Sequence, residues 1–152
     1  MSCTLTAACV DDGELTAVHV GDSRLYLIRD GEATQLTKDH TVAAEKVRMK
    51  LLSKEKARFH PDRSVLTRSL GRELILSRDR ITQRVYVGDV LLLCSDGLTR
   101  HVSDERIRDV LRSMTSAKQA CETLLQEALD DGGTDNITVI VGRAVPRGSE
   151  AA

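Results

Sequence analysis

The sequence predicts an α+β fold built on an antiparallel sheet. Three features carry that expectation: Asp-Gly turns punctuating β-prone runs at the start of the chain, an apolar run ending at Asp96, and two amphipathic helices before a last strand.

The first forty residues read as a β-meander. "CTLTAACV" runs into the turn "DDG", "ELTAVHV" into "GDS", and "RLYLIRD" turns through Gly31 into "EATQLT". Glycine accepts the positive φ that tight hairpin turns demand, so three or four antiparallel strands follow. From Thr41 to Arg58 the chain becomes charged and rich in helix formers until His60-Pro61 stops it, which predicts a helix or helical loop lying over a face. The stretch "RSVLTRSLGRE" fits no single element. Residues 81 to 95, "ITQRVYVGDVLLLCS", read as a hairpin about "VGD" whose second arm is apolar enough for burial on both faces. Ser103 is a candidate cap for a helix with Ile107, Val110, Leu111 and Met114 at 3.6-residue spacing. Ser116 and Gln119 form a capping box before a stripe of Ala117, Ala120, Cys121, Leu124, Leu125, Ala128 and Leu129. Gly132-Gly133 ends that helix, "NITVIVGRAV" returns as a strand, and 145–152 is a tail.

Composition narrows the function classes. The 152 residues suffice for one domain with a real core. Aromatics are only 2% of the chain, so the core is aliphatic and base stacking has little to work with. With 22 basic and 23 acidic residues the net charge is -1, which supplies no field for nucleic acid or an anionic membrane. No apolar run approaches the length of a membrane span. "LTAAC" lacks the basic and apolar leader of a lipoprotein signal and reads as strand. Cys3, Cys9, Cys94 and Cys121 sit in apolar runs and read as buried thiols in a reducing compartment, hence a cytoplasmic location.

Three aspartates share a setting: Asp22 in "VGDSR", Asp96 in "CSDGL" and Asp135 in "GTDNI". Each lies beside a predicted strand end, next to Gly, Ser or Asn. Singly, an Asp in such a turn accepts backbone N–H bonds. Brought together, carboxylates repel and take up protons unless a cation neutralises them, and an oxygen-only donor set suits Mg²⁺ or Mn²⁺.

The segments "LTAVHVGDSRLYLIRDGEATQLTKDHT", "HPDRSVLTRSLG", "GDVLLLCSDGLTRHVSDERI" and "GGTDNITVIV" resemble, in this order, the later motifs of the metal-dependent type 2C serine/threonine protein phosphatases, particularly their compact bacterial branch. The resemblance covers residues 4–144. It implies two antiparallel sheets packed face to face with helices outside. It also implies a Mn²⁺ or Mg²⁺ centre at the sandwich edge that hydrolyses phosphoserine and phosphothreonine through a metal-bridging water. By position, Asp96 and Asp135 match the family's metal ligands, and Asp22 matches an aspartate that, with the "SDGL" one, holds a third metal in bacterial members. Gly97 and Asn136 stand beside two of these ligands. Segment 41–60 corresponds to the flap, a variable cover beside the active site. The implied partners are phosphoproteins of a serine/threonine kinase pathway.

The family's opening motifs, a phosphate-binding arginine, an acidic "NED"-type motif and a "DGMGG"-type motif with the bridging Asp, have no match here. The expectation is an incomplete, N-terminally truncated domain with weak or lost activity. Bare strand edges would favour self-association through the face left by the missing strands. Two other readings stay open: a non-catalytic phosphoprotein-binding or regulatory module, and a fragment that needs its N-terminal half. Among neighbouring residues, Arg24 either reaches a phosphate or pairs with its own turn. His40 is either a general acid or a hydrogen-bonded loop residue. His19 reads as structural, and the flap's Lys and Arg residues either dock an acidic phosphopeptide or form a solvated face.

Overall fold

The computed structural model describes residues 2–71 and 77–149. Among them, seven strands form two antiparallel sheets. The first sheet joins β1 (Leu5–Asp11), β2 (Glu14–Val20) and β5 (Asp79–Arg84) in the order β1-β2-β5. In the second, β3 (Arg24–Arg29), β4 (Glu32–Gln35), β6 (Val90–Cys94) and β7 (Val139–Arg143) run in the order β4-β3-β6-β7.

Both early hairpins close as their Asp-Gly pairs predict. Asp12 and Gly13 have φ of 43° and 74°, and Asp30 and Gly31 have 52° and 81°, the paired positive angles of a two-residue turn that matches strand twist. Asp11 therefore faces Glu14, and Arg29 faces Glu32.

The predicted β-sandwich with flanking helices is the observed architecture, in three layers. Alternate residues of the second sheet face opposite ways. Tyr26, Ile28, Val90, Leu92 and Cys94 pack with Leu98, Ile107, Val110, Leu111, Leu124 and Ala128 from the helices. Leu25, Leu91 and Leu93 pack instead with Leu15, Ala17, Ile81 and Val85 of the first sheet and the corner after it. The helices are α3 (Asp96–His101), α4 (Asp104–Ser113) and α5 (Ala117–Asp130). Ser103 and Ser116 cap α4 and α5, accepting from the Arg106 and Gln119 amides, as their spacing predicts. Residues 41–60 carry α1 (Val42–Arg48) and α2 (Lys54–Ala57), and a 3₁₀ turn follows at Pro61–Ser64.

Four expectations are corrected. Residues 81–95 form no hairpin: β5 pairs with β2, whereas β6 pairs with β3 and β7. The turn signal was real, since Asp89 N donates to Tyr86 O, but it turns a corner between sheets. A strand apolar on both faces belongs inside a layered sheet, and the alternating β5 belongs at an edge. Cys3 and Cys9 are exposed rather than buried: Cys9 lies on β1, an edge strand with little over either face, and Cys3 precedes that strand; Cys94 is buried and Cys121 half-buried. In the α5 stripe, Ala120, Leu124 and Ala128 are buried, but Leu125 and Leu129 are exposed on the helix flank. Helix α3 was not foreseen, because six residues are too few for periodicity to register. The stretch "RSVLTRSLGRE" resolves up to Gly71 as the 3₁₀ turn and two isolated bridges, Thr41 to Leu66 and Cys3 to Leu70. Its last two residues, and the tail's last three, lie outside the described residues.

Candidate metal and phosphate site

Asp22 lies in the link Gly21-Asp22-Ser23, where the chain crosses from β2 in the first sheet to β3 in the second. Gly21 has φ of 113°, and a Cβ there would overlap the Thr4 side chain, so only glycine fits. His40 fixes this link. Its amide donates to Gly21 O at 2.8 Å and its Nδ1 accepts from Gly21 N at 3.1 Å. Because Nδ1 accepts, Nε2 carries the proton and donates to Asp79 Oδ2 at 3.1 Å. His40 is buried with both nitrogens engaged, which makes it a brace for the Gly21 backbone beside Asp22.

His19 packs against His40 with ring centroids 4.8 Å apart. Its Nε2 donates to Lys38 O at 3.0 Å, and Nδ1 pairs with the Thr6 hydroxyl at 2.9 Å. Burial holds its pKa below 6.5, with His40 adding to the effect.

Asp96 is the first residue of α3, at the end of β6. The residues around it bind this point to the loop carrying Asp135. Ser95 N donates to Thr138 O, Ser95 Oγ donates to Asn136 O at 3.1 Å, and Thr138 N donates back to Ser95 Oγ at 2.9 Å. Gly97 permits the approach, since a Cβ there would overlap the Asn136 carbonyl oxygen. His101 adds a second tie. Its Nε2 accepts from Thr134 N, leaving Nδ1–H to donate to Asp131 Oδ2 at 3.0 Å. Asn136 thus contributes its backbone. Asp135 Oδ1 accepts from Asn136 N at 2.8 Å, leaving Oδ2 for an outside partner.

That partner is Arg100, which the sequence reading missed. One guanidinium reaches Asp96 Oδ2 and Asp135 Oδ2, the latter at 2.9 Å, and also donates to Ser64 Oγ at 3.0 Å. The signal was available as an i,i+4 Asp-Arg pair, but only to a reading that already placed a helix after Asp96. Arg24 is corrected in the same way. It pairs with Asp39, at 2.7 Å, rather than with its own turn, and also donates to the Tyr26 hydroxyl at 2.8 Å.

Asp22 and Asp96 line one cleft of about 660 Å³, to which Arg48, Arg58, Arg63 and Ser64 contribute from the opposite segment. Burial pushes the Asp22 carboxyl up to about 6, and repulsion from Asp96 and Asp39 adds to this; Arg100 works the other way. Among the described residues, no three acidic, His or Cys side chains gather closely enough to cage an ion. The donor set fits a hard divalent cation in chemistry: all oxygen, with Asp22 feeling the charge of Asp96.

A sandwich of two antiparallel sheets whose edge carries paired aspartates defines a class, and the comparisons agree on which. The profile of Protein phosphatase 2C matches residues 1–131, and the chain belongs to that family. It is 38% identical over 141 residues to the serine/threonine phosphatase stp of Listeria welshimeri, covering 93% of this chain and 56% of that protein. To the serine/threonine protein phosphatase PstP of Mycobacterium tuberculosis it is 44% identical over 147 residues, covering 95% of this chain and 28% of that one. The crystal structure of the M. tuberculosis phosphatase PstP/Ppp superimposes with a TM-score of 0.88 at 40% identity, over 93% of this chain and 60% of that chain. A PstP catalytic domain solved with two manganese ions gives 0.84 at 39% identity, over 95% and 60%. The chain thus spans about half the length of the Listeria relative and less of PstP.

Proposed function

We propose that this chain carries part of the active site of a metal-dependent phosphoserine/phosphothreonine protein phosphatase, with Asp22, Asp96 and Asp135 as carboxylate ligands for Mn²⁺ or Mg²⁺. The observation that carries it is the shared cleft. Asp22 and Asp96 line it, and Asp135 joins Asp96 through Arg100. A hard divalent cation held there supplies Lewis acidity for phosphoester hydrolysis. The chain's own residues hold the carboxylates in place: His40 braces the Gly21 link, while Ser95 and Gly97 keep the Asp96 and Asp135 segments together. Arg48, Arg58 and Arg63 line the same cleft, whose lining is of mixed charge, and offer guanidinium donors for a phosphorylated segment.

Turnover by this chain alone is low, because two of the three carboxylates, Asp96 and Asp135, are tied to a guanidinium. The same tie favours the second reading, a phosphoprotein-binding module without turnover. The exposed edge strands β1 and β7 support self-association. The exposed free thiols of Cys3 and Cys9 suit a reducing, cytoplasmic setting. Among the described residues, no helix is long and apolar enough to cross a membrane.

Hydrolysis of an aryl phosphate with millimolar Mn²⁺, run beside Asp96→Asn, tests the catalytic reading. Mn²⁺-dependent turnover that disappears in the variant supports it. Phosphopeptide binding without turnover selects the module.

A further inference from the structure

Arg100 stands where a cation is wanted. Its guanidinium spans Asp96 and Asp135 from one side and holds Ser64, in the 3₁₀ turn beside the flap, from the other. Its side chain and those of Asp96 and Asp135 are partly exposed, at 24%, 27% and 38%. Solvent screening is therefore incomplete, and the charges feel one another.

We propose that Arg100 is a built-in counter-cation that competes with the divalent ion for Asp96 and Asp135, and so sets the metal affinity of the site and couples it to the flap. The inference rests on the metal reading of the three aspartates. Three features of the geometry carry it. The contacting oxygens, Oδ2 of Asp96 and Oδ2 of Asp135, lie on two of the three groups proposed to hold the ion. Asp135 Oδ1 already accepts from the Asn136 amide, which leaves Oδ2 the freer oxygen, the one that Arg100 holds and that a metal would take most readily. A divalent ion at these oxygens would also meet the positive guanidinium directly, so Arg100 has to leave for the ion to bind well. On leaving, it releases Ser64. By linkage, whatever loads the carboxylates loosens this hold on the flap side, and whatever strengthens the hold weakens metal binding by the same factor.

The test is Mn²⁺ affinity of the whole chain, read from the free-ion electron paramagnetic resonance signal. It compares wild type with Arg100→Met, which keeps the aliphatic stem and removes the charge. The expected result is binding tighter by about tenfold, the sum of two modest ion pairs removed. Arg100→Lys, which keeps one charge but cannot span both carboxylates, should fall between them. Ser64→Ala should bind Mn²⁺ slightly more tightly than wild type. Thermal unfolding checks that each variant is folded, and the lysine variant decides the matter if the methionine one is not. Equal or weaker Mn²⁺ binding in the variants, with wild-type binding lost in Asp96→Asn, overturns the role of Arg100 and leaves the metal reading intact. Absence of Mn²⁺ binding at millimolar concentration in every folded variant overturns the metal reading and this inference together.

Discussion

Strands β6 and β1 make an instructive pair. Both are rich in apolar residues, "VLLLC" against "LTAACVD", yet β6 is buried or half-buried at every residue while β1 is exposed at almost every one. The difference is coverage. Strand β6 has a strand on either side, a helical layer on one face and the first sheet on the other, whereas β1 has one partner and no layer outside it. Apolar content says that a strand can be buried; the layers around it decide whether it is. Asp96 grows from the end of the covered strand, which gives that carboxylate a rigid base. The largest expected effect follows from this. Leu92, fully buried in the centre of β6, should cost about 2–5 kcal/mol when changed to Ala, measured by urea unfolding. A cost below about 1 kcal/mol would mean that the three-layer packing is wrong.

Two glycines sharpen the contrast at the site. Gly97 is helical and would ordinarily gain from alanine by helix propensity. Its Cβ would nevertheless collide with the Asn136 carbonyl oxygen, a backbone atom that cannot swing aside. Overpacking should win, so Gly97→Ala should lose about 1–3 kcal/mol and weaken Mn²⁺ binding by moving the Asp135 loop away from Asp96. Gly142 on β7 has open space where a Cβ would go, and Gly142→Ala should be neutral or slightly stabilising. Similar losses in both would show that the close approach at Gly97 is not special.

Much of the fold was legible in the chain because its signals are local. The Asp-Gly turns, the serine caps of α4 and α5 and the two-sided apolar pattern of β6 each depend on neighbours in sequence. What failed depends on distant partners. The turn after β5 announces a reversal but not which sheet receives the next strand, and Cys9 sits among apolar residues that nothing covers. The site divides likewise. Asp22 and Asp96 were marked by their glycine-flanked strand ends, and they line one cleft. Arg24's partner, Asp39, lies fifteen residues on, and Arg100's second partner, Asp135, lies in the loop after α5, so neither of these pairings has a sequence signature; the Asp96–Arg100 pair has one only for a reading that already places α3.

A smaller effect should appear in the first sheet on acidification. His19 is buried on β2 and its pKa is held below 6.5 by burial and by His40. The unfolded chain therefore takes up the proton more readily. Its contribution to stability is complete above about pH 6.5 and is lost as the pH falls below it, with a slope of at most about 1.4 kcal/mol per pH unit. Urea midpoints between pH 8 and 5 should show this decline, and His19→Gln should flatten it at a cost of about 1 kcal/mol for the bonds to Thr6 and Lys38. An unchanged decline in that variant would assign the acid sensitivity elsewhere.

The smallest effect should come from β1 itself. Val10 is 49% exposed and faces Leu15 across the hairpin, where burial is one-sided at most. Val10→Lys loses little transfer energy and leaves the ladder hydrogen bonds in place, so the folded chain should change by no more than about 0.5 kcal/mol. The charge acts instead on the free edge, where a lysine repels a second strand of the same kind. If β1 is the surface through which copies associate, the variant should be monomeric by light scattering at concentrations where wild type is not, with the same urea midpoint once both are dilute. A large loss of midpoint would show that β1 is covered after all, and the contrast with β6 would collapse.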